Sequence, residues 1–365
     1  MARVVGHVDV DYFYAQVEEV ENPTIKDRPV VVCVFSGRTE DSGVVGTANY
    51  VAREFGVKSG IPIVVAKKRL QGKDPVIVRM DHAKYEAVSD RIMELVRSHV
   101  DVIEKTGIDE AFFDLTSSSH GDYKIAAGIA TRIKNSILEE EHLTCSVGLG
   151  RSKVVAKLAS DAAKPGGMVV VPPETTESFL GDLDVIKLYG VGPKTAEALG
   201  ELGIRTVAEL AHTEAATLEG SFGKSLAHYL HEASNGLDAD PVKENEAPAQ
   251  FSRIITLKSD TTDPEEAISQ LAAAEADLRS KLASKNTSFR TLSAIAILTD
   301  LSTKTRSKTF EAPINDLSTV RSALVDLFSQ LSESVDREFR RVGIRVSDLS
   351  TDTSQKSLAE FVERL

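Results

Sequence analysis

Tryptophan is absent from this 365-residue sequence, cysteine occurs twice, and aromatic rings account for 5% of it. Two cysteines cannot build the disulfide framework of a small secreted scaffold. Cys33 and Cys145 both sit in apolar, strand-like runs and are expected to be buried thiols in a reducing cytosol. No apolar run approaches the ~20 residues of a membrane span. The chain enters a strand at once, with no basic region or cleavage site, so a cytoplasmic location without membrane attachment is expected. His228 and His231 stand one helical turn apart without a Cys or His partner pair, and read as helix residues rather than zinc ligands.

Positive charge is in short supply overall. Lysine and arginine number 43 against 55 acids, a net charge of −12, which excludes a protein basic over its whole surface. The basic groups are gathered, however. Residues 279 to 308 carry Arg279, Lys281, Lys285, Arg290, Lys304, Arg306 and Lys308 against Asp300, and a second basic stretch spans residues 51 to 79. A basic face on an acidic body can still hold a polyanion, because the local field governs the contact. The chain is too long for one compact core, so roughly two to four globular domains are expected.

Residues 3 to 10 read as an apolar strand followed by a helix through Glu19. Pro29 to Val34 is a buried strand, and Gly43 to Tyr50 leads into a short helix bearing Arg53. Lys84 to Val100 and Ile125 to Leu138 are helical by period, and Thr144 to Leu149 is a strand. Val102 to Lys105 and Ile108 to Leu115 flank Thr106-Gly107 as a hairpin. Strands and helices interleave around one sheet, an α+β core. From about 175 to 236 short helices with glycine punctuation take over, and Asp238 to Pro248, acidic with two prolines, reads as a linker. A β-α-β-β-α-β order follows: strand Gln250 to Lys258, helix Pro264 to Ser284, strands Arg290 to Thr299 and Thr305 to Ala312, helix Leu317 to Val335, strand Phe339 to Val346.

The first strand ends in Asp9 and Asp11, directly before Tyr12, Phe13 and Tyr14. Aspartate is a poor strand residue and costly to bury unpaired. Either these carboxylates are solvated at a strand end, or they hold something positive. A second acidic pair, Asp109-Glu110, stands in the hairpin KTGIDEAFFDL. If the two strands lie side by side, the carboxylates repel one another unless a divalent cation neutralises them. Oxygen-only ligation with room for water and phosphate suits Mg²⁺, and two such ions are the usual apparatus of in-line phosphoryl or nucleotidyl displacement. Strict alternation would point Asp109 and Glu110 to opposite faces, so a twist or bulge is expected to bring both in.

DVDYFYAQVE, SGVVGTANYVAREFGVKSGIP, TGIDEAFFDLT, CSVGLGRSKVVAKLASDAAKPGG and LYGVGPKTAEALGELGI resemble, in order and spacing, successive motifs of the Y-family translesion DNA polymerases of archaeal, DNA polymerase IV-like type. The resemblance runs over roughly residues 1 to 350. It implies a right-hand architecture: a ferredoxin-like palm (1–20 and 80–174), small fingers (21–79) and a helical thumb (175–236). A linker (237–248), a β-α-β-β-α-β little finger (249–348) and a flexible tail (349–365) complete it. The implied activity is template-directed addition of dNTPs to a primer 3′-end, with low fidelity and no proofreading exonuclease, by a monomer.

Residue by residue, the resemblance makes Asp9, Asp109, Glu110 and the Val10 carbonyl the ligands of two Mg²⁺ ions, and Asp11 structural. Tyr14 would pack against the incoming sugar and exclude a 2′-hydroxyl. Tyr12 and Phe13 would line the floor and the triphosphate, partly through backbone N–H groups, while Thr47, Tyr50, Arg53 and Lys164 would meet the β and γ oxygens. Residues 188 to 204 read as a helix-hairpin-helix, with Gly190 and Gly192 in the turn and the next helix N-terminus, with Lys194, facing a DNA phosphate. Arg290, Lys304 and Arg306 would add grip on primer-template DNA. In the tail, Gln355, Leu358, Phe361 and Val362 align along one side of a short helix and resemble the peptide by which polymerases engage a sliding clamp (PCNA). The rival readings are a nucleotide cyclase with a similar palm, which would need neither the hairpin motif nor a basic terminal domain, and a noncatalytic DNA-binding scaffold. Retention of all three carboxylates with Arg53 and Lys164 speaks against the scaffold.

Overall fold

The computed structural model describes residues 1–244 and 248–351. Gln355, Leu358, Phe361 and Val362 lie outside the described residues. Two compact units are present. The first holds Met1–Val34 and the chain from Val44 to residue 244, and the second holds Phe35–Gly43 and residues 248–351.

In the first unit the chain runs through β1 (Val5–Val10), α1 (Phe13–Glu21), β2 (Val30–Phe35), β3 (Gly43–Ala48), α2 (Tyr50–Glu54), α3 (Ile63–Arg69) and β4 (Val76–Arg79). It continues through α4 (His82–Arg97), β5 (Val102–Lys105), β6 (Glu110–Asp114), α5 (Tyr123–Glu141), β7 (Cys145–Gly150), α6 (Lys153–Ala162) and β8 (Met168–Val170). The main sheet has the order β5-β6-β1-β7-β8, and a smaller one the order β3-β2-β4. Every residue of central β1 is buried, so both faces of the strand are covered and His7 and Asp9 are enclosed along with its valines. One face, with Val8, Val10 and Phe113, packs against Ile92 of α4 and Ile133 of α5. On the other, Val5 and Phe112 meet Ala156 of α6. Cys33 and Cys145 are buried free thiols.

Helix α6 lies unusually close to the sheet because β7 carries glycine where it passes. A Cβ built on Gly148 would come 2.1 Å from the Ala156 carbonyl oxygen and 2.2 Å from the Ser160 amide nitrogen. Beyond β8, the helices α7 (Thr176–Gly181), α8 (Pro193–Glu201), α9 (Val207–Ala211) and α10 (Ala215–Ser234) gather around Leu199, Leu210, Leu218 and Leu230. Residues 238–244 are held to this unit. Val242 is buried against Val5 and Phe112, and Arg97 pairs with Glu244 at 2.6 Å.

The second unit is a sheet of order β11-β10-β12-β9, from β9 (Gln250–Thr261), β10 (Thr287–Leu298), β11 (Thr303–Ile314) and β12 (Phe339–Ser347), with β13 (Ser350–Thr351) pairing β10. Its core joins Leu292, Ala294 and Ile344 of the sheet to Leu278 and Phe328 of the covering helices. The expected element order is present with three differences, of which the added strand β13, at residues expected to begin a flexible tail, is one. The first helix is broken at Gln270 into α11 (Pro264–Ser269) and α12 (Ala272–Ser284), where the Gln270 side chain accepts from the Lys258 amide of β9 at 3.0 Å. The second opens as a 3₁₀ turn at Leu317–Val320, capped by Asp316, before α13 (Arg321–Glu333).

Gly148→Ala is expected to push α6 away from β7 and lower unfolding stability by about 3 kcal/mol, read from the urea midpoint. An unchanged midpoint would show that the close approach of helix to sheet is not needed.

Candidate active site

Asp9 of β1 lies directly opposite Glu110 of β6 in the antiparallel register, so the two carboxylates stand side by side on one face of the sheet. Asp109 joins them by a simpler route than expected. Strand β6 begins only at Glu110, and residues 106–109 form a four-residue turn in place of the two-residue Thr106-Gly107 hairpin. Asp109 therefore precedes the alternating strand, and no bulge is required. Its carbonyl accepts from the Val10 amide at 2.9 Å, which fixes it beside the end of β1.

Three carboxylates at one strand end raise the electrostatic cost. Burial first, and then the charges of Asp9 and Glu110, push Asp109 up to about 6. Glu110 is held down at about 2 by the His7 imidazole and the Lys157 ammonium, against its own burial. Of these two, Lys157 is nearer: its Nζ donates to Glu110 Oε2 at 2.6 Å, whereas His7 Nε2 stands 3.6 Å away. Burial pushes the His7 imidazole down.

Two ammonium groups supply the positive charge this cluster requires. Lys157 Nζ also donates to Asp9 Oδ2 at 3.2 Å, and Lys164 Nζ donates to the same oxygen at 2.8 Å. As they stand, no three His, Cys, Asp or Glu side chains among the described residues are gathered closely enough to hold a metal ion. The chemistry of the donor set nonetheless fits a hard divalent cation, being anionic, oxygen-only and already drawing cations to itself.

Asp11 has a different part. It is 1% exposed and accepts from Thr144 Oγ1, Ser146 Oγ and the Gly166 amide, each at 2.8 Å. Asp11 thereby ties the end of β1 to β7 and to the loop after α6, which bears Lys164.

The aromatic run is divided in the same way. Tyr12 adopts φ 36°, ψ 44° at the start of α1, a conformation a bulky residue takes only under constraint. Its hydroxyl donates to Glu19 Oε2 at 3.0 Å, and Glu19 Oε1 accepts from Asn49 Nδ2 at 2.7 Å. Asn49 in turn caps α2 by accepting from the Ala52 amide at 3.0 Å. This chain of bonds holds Tyr12 against the helix that bears Tyr50 and Arg53, and the Tyr12 and Tyr50 rings meet edge to face at 4.9 Å. Phe13 is a core ring, 1% exposed, so only its backbone is free to face a nucleotide. Tyr14 is half-buried against Tyr85, with ring centroids 4.6 Å apart. Burial and the nearby charge of Asp109 push its phenol up.

Thr47 stands near the end of β3, and the Arg53 guanidinium lies 5.0 Å from the centre of the Tyr50 ring. The Tyr50 hydroxyl is buried without a hydrogen-bond partner among the described residues. Its phenol, raised by burial, feels the charges of Asp9, Asp11, Arg53 and Lys164, so α2 and the carboxylates belong to one electrostatic environment.

Gly190 has φ +84°, and Gly192 precedes α8 with Pro193 at the first helical position and Lys194 next. The helix before this turn is only a 3₁₀ turn, Val185–Lys187. In the second unit Arg290, Lys304 and Arg306 are all exposed. Lys304 pairs with Ala296 and Arg306 with Ala294, so both lie on the helix-bearing side of the free edge strand. Sequence reasoning passed over Lys157, Glu19 and Asn49. Lys157, Asp161 and Lys164 recur at i, i+4 and i+7, a spacing that marks one charged helix face.

A mixed sheet whose antiparallel pair β1–β6 presents three carboxylates at one end, bordered by cations and by a phenol without a partner among the described residues, is the framework of a palm-type nucleotidyltransferase. Residues 8–161 match the impB/mucB/samB family, residues 248–358 its C-terminal domain, and residues 186–238 the DNA polymerase-iota thumb domain. DNA polymerase IV of Methanosarcina acetivorans is 42% identical over 99% of this chain and 100% of its own length. DNA polymerase IV of Saccharolobus solfataricus is 40% identical, covering 94% of this chain and 96% of its own. A Y-family polymerase chimera of Dbh and Dpo4 segments is structurally similar, with a TM-score of 0.88 and 36% identity over 96% of this chain and all of that one. A structure described as an insertion ternary complex of Dbh DNA polymerase has a TM-score of 0.70 at the same identity and coverage. The chain belongs to the Y-family DNA polymerases of the DNA polymerase IV type and is a translesion DNA polymerase. Its family implies dependence on a divalent metal, and neither the cyclase nor the scaffold reading is favoured. No helix among the described residues is long and apolar enough to cross a membrane.

A carboxyl raised from 3.8 to about 6 disfavours its own charged form in the folded state. Asp109 therefore costs stability above pH 6, and the cost fades as pH falls through 6 towards 4. Asp109→Asn in EDTA at pH 7.5 is expected to raise unfolding stability by about 1–2 kcal/mol. The gain should shrink towards zero near pH 4 in urea titrations. A gain independent of pH, or none, would contradict the crowding of charge.

Proposed function

We propose that the chain adds dNTPs to the 3′-end of a primer on template DNA, and that Asp9, Asp109, Glu110 and the Val10 carbonyl hold two Mg²⁺ ions. The observation that carries this reading is the facing pair of Asp9 and Glu110, with Asp109 beside it and ammonium groups drawn to both. Bound divalent ions would lower the pKa of the primer hydroxyl and neutralise the charge of the displacement. Arg53 would grip the triphosphate through a forked pair of donors and Lys164 as a point charge. The unpartnered Tyr50 hydroxyl would donate to a phosphate oxygen, with Thr47 and the backbone of Tyr12 and Phe13 alongside. The Tyr14 ring would close the space at C2′, selecting deoxynucleotides by exclusion.

The domain limits are proposed as palm 1–20 and 80–174, fingers 21–79, thumb 175–236, linker 237–248, little finger 249–348 and tail 349–365. The N-terminus of α8, with Gly190, Gly192 and Lys194, would take a DNA phosphate, and Arg290, Lys304 and Arg306 would add contacts that ignore base identity. Gln355, Leu358, Phe361 and Val362 would dock on a sliding clamp and raise the local concentration of a weakly gripping, monomeric enzyme at the primer. Its place of action is the cytoplasm.

Primer extension with Mg²⁺ on undamaged and abasic templates tests the reading. Glu110→Ala is expected to lose several orders of magnitude in nucleotide addition with primer-template binding nearly intact, and Tyr14→Ala to incorporate ribonucleotides readily. Full activity of the first variant would remove the metal assignment, and undiminished rejection of ribonucleotides by the second would move the gate elsewhere.

A further inference from the structure

Lys157 is the cation seated deepest in the carboxylate cluster, its side chain only 15% exposed. Its ammonium bridges Glu110 Oε2 at 2.6 Å and Asp9 Oδ2 at 3.2 Å, the two groups that the strand register sets directly opposite each other. Like charges facing across an antiparallel pair are destabilising, and the ammonium between them reverses the sign of that interaction. Its position is well supported. Ser160 Oγ donates to the Lys157 carbonyl at 2.8 Å and is itself bonded by His7 Nδ1 at 2.7 Å, while Gly148 keeps α6 pressed to the sheet.

A divalent ion and an ammonium cannot share the same carboxylate oxygens at ~3 Å without strong repulsion. The side chain has another anion within reach: Asp161, one helical turn on, has its Oδ1 3.8 Å from Nζ and is 47% exposed. We propose that Lys157 is the resident counter-ion of the cluster, a positioning residue that holds Asp9 and Glu110 face to face before a divalent cation arrives and yields towards Asp161 when one does. The proposal rests on the reading of Asp9, Asp109 and Glu110 as a divalent-cation site. A site neutralised from within takes up metal weakly by itself and more readily when a triphosphate brings further negative charge, so Lys157 would make metal loading depend on the nucleotide.

The test is Mn²⁺ binding to the full chain, without DNA or nucleotide, followed by the electron-paramagnetic resonance of free Mn²⁺. Lys157→Met is expected to bind Mn²⁺ about tenfold more tightly than the parent. It should also melt lower in EDTA and recover with saturating Mn²⁺. Lys157→Arg, which keeps the charge, should stay near the parent. A lysine that merely packs would lower the melting temperature in Lys157→Met without tightening the metal. Equal or weaker Mn²⁺ binding by Lys157→Met, in a protein whose binding Glu110→Gln abolishes, would overturn the role of Lys157 alone. Binding indifferent to Glu110→Gln would overturn the metal reading and the proposal with it. Should Lys157→Met fail to fold, the parent answers directly. Reductive methylation of Lys157, read by mass spectrometry, should be several-fold faster with saturating Mn²⁺ than in EDTA, and an equal or slower rate would overturn the proposal.

Discussion

Mutual repulsion of Asp9, Asp109 and Glu110 is the constraint around which the first unit is organised. Two of them face each other across β1 and β6, and the third closes the end of the same strand pair. A core of ordinary apolar strands would not tolerate such a concentration of negative charge unless positive charge were delivered to the same spot. Helix α6 and the loop after it deliver it as Lys157 and Lys164.

Much of the surrounding structure can be understood as the means of that delivery. Gly148 lets α6 approach the sheet backbone to backbone. Asp11, two residues beyond Asp9, accepts three hydrogen bonds that pin the ends of β1 and β7 and the Gly166 turn in register. On the other flank, the Tyr12–Glu19–Asn49 chain carries the same precision to the start of α2. The buried hydroxyl of Tyr50, without a partner among the described residues, is thereby kept where an anionic ligand would satisfy it. A buried polar group without a partner beside a cluster of charges is a place where a ligand can supply one.

The sequence was most readable where chemistry and period agreed. The β1 strand, the acidic pair after it and the β-α-β-β-α-β order of the second unit all follow from apolar patterning with turn punctuation, and five collinear motifs pointed to the family. The turn at 106–109 was less readable, because Ile108 continues the apolar pattern of β6 and conceals the true strand start at Glu110. The break at Gln270 was hidden for a related reason: the residues around it are good helix formers, and only the bond to β9 reveals why the helix stops. Phe13 could not be separated from its aromatic neighbours by composition, since burial depends on which side of α1 meets the core. Lys157 was invisible as a site residue because its partners lie 148 and 47 positions away in sequence. Only the fold brings an ordinary-looking lysine of an amphipathic helix onto two carboxylates.

The central claim is that Asp9, Asp109 and Glu110 form one cation-binding cluster. The most direct measurement is a crystal structure of the chain with Mn²⁺, primer-template DNA and a non-reactive dNTP analogue, with the metal located by its anomalous scattering. The account predicts anomalous peaks within coordination distance of all three carboxylates, with the Lys157 ammonium moved off Glu110. A peak that touches none of them, or Mn²⁺ bound elsewhere while Lys157 still bridges Asp9 and Glu110, would contradict it.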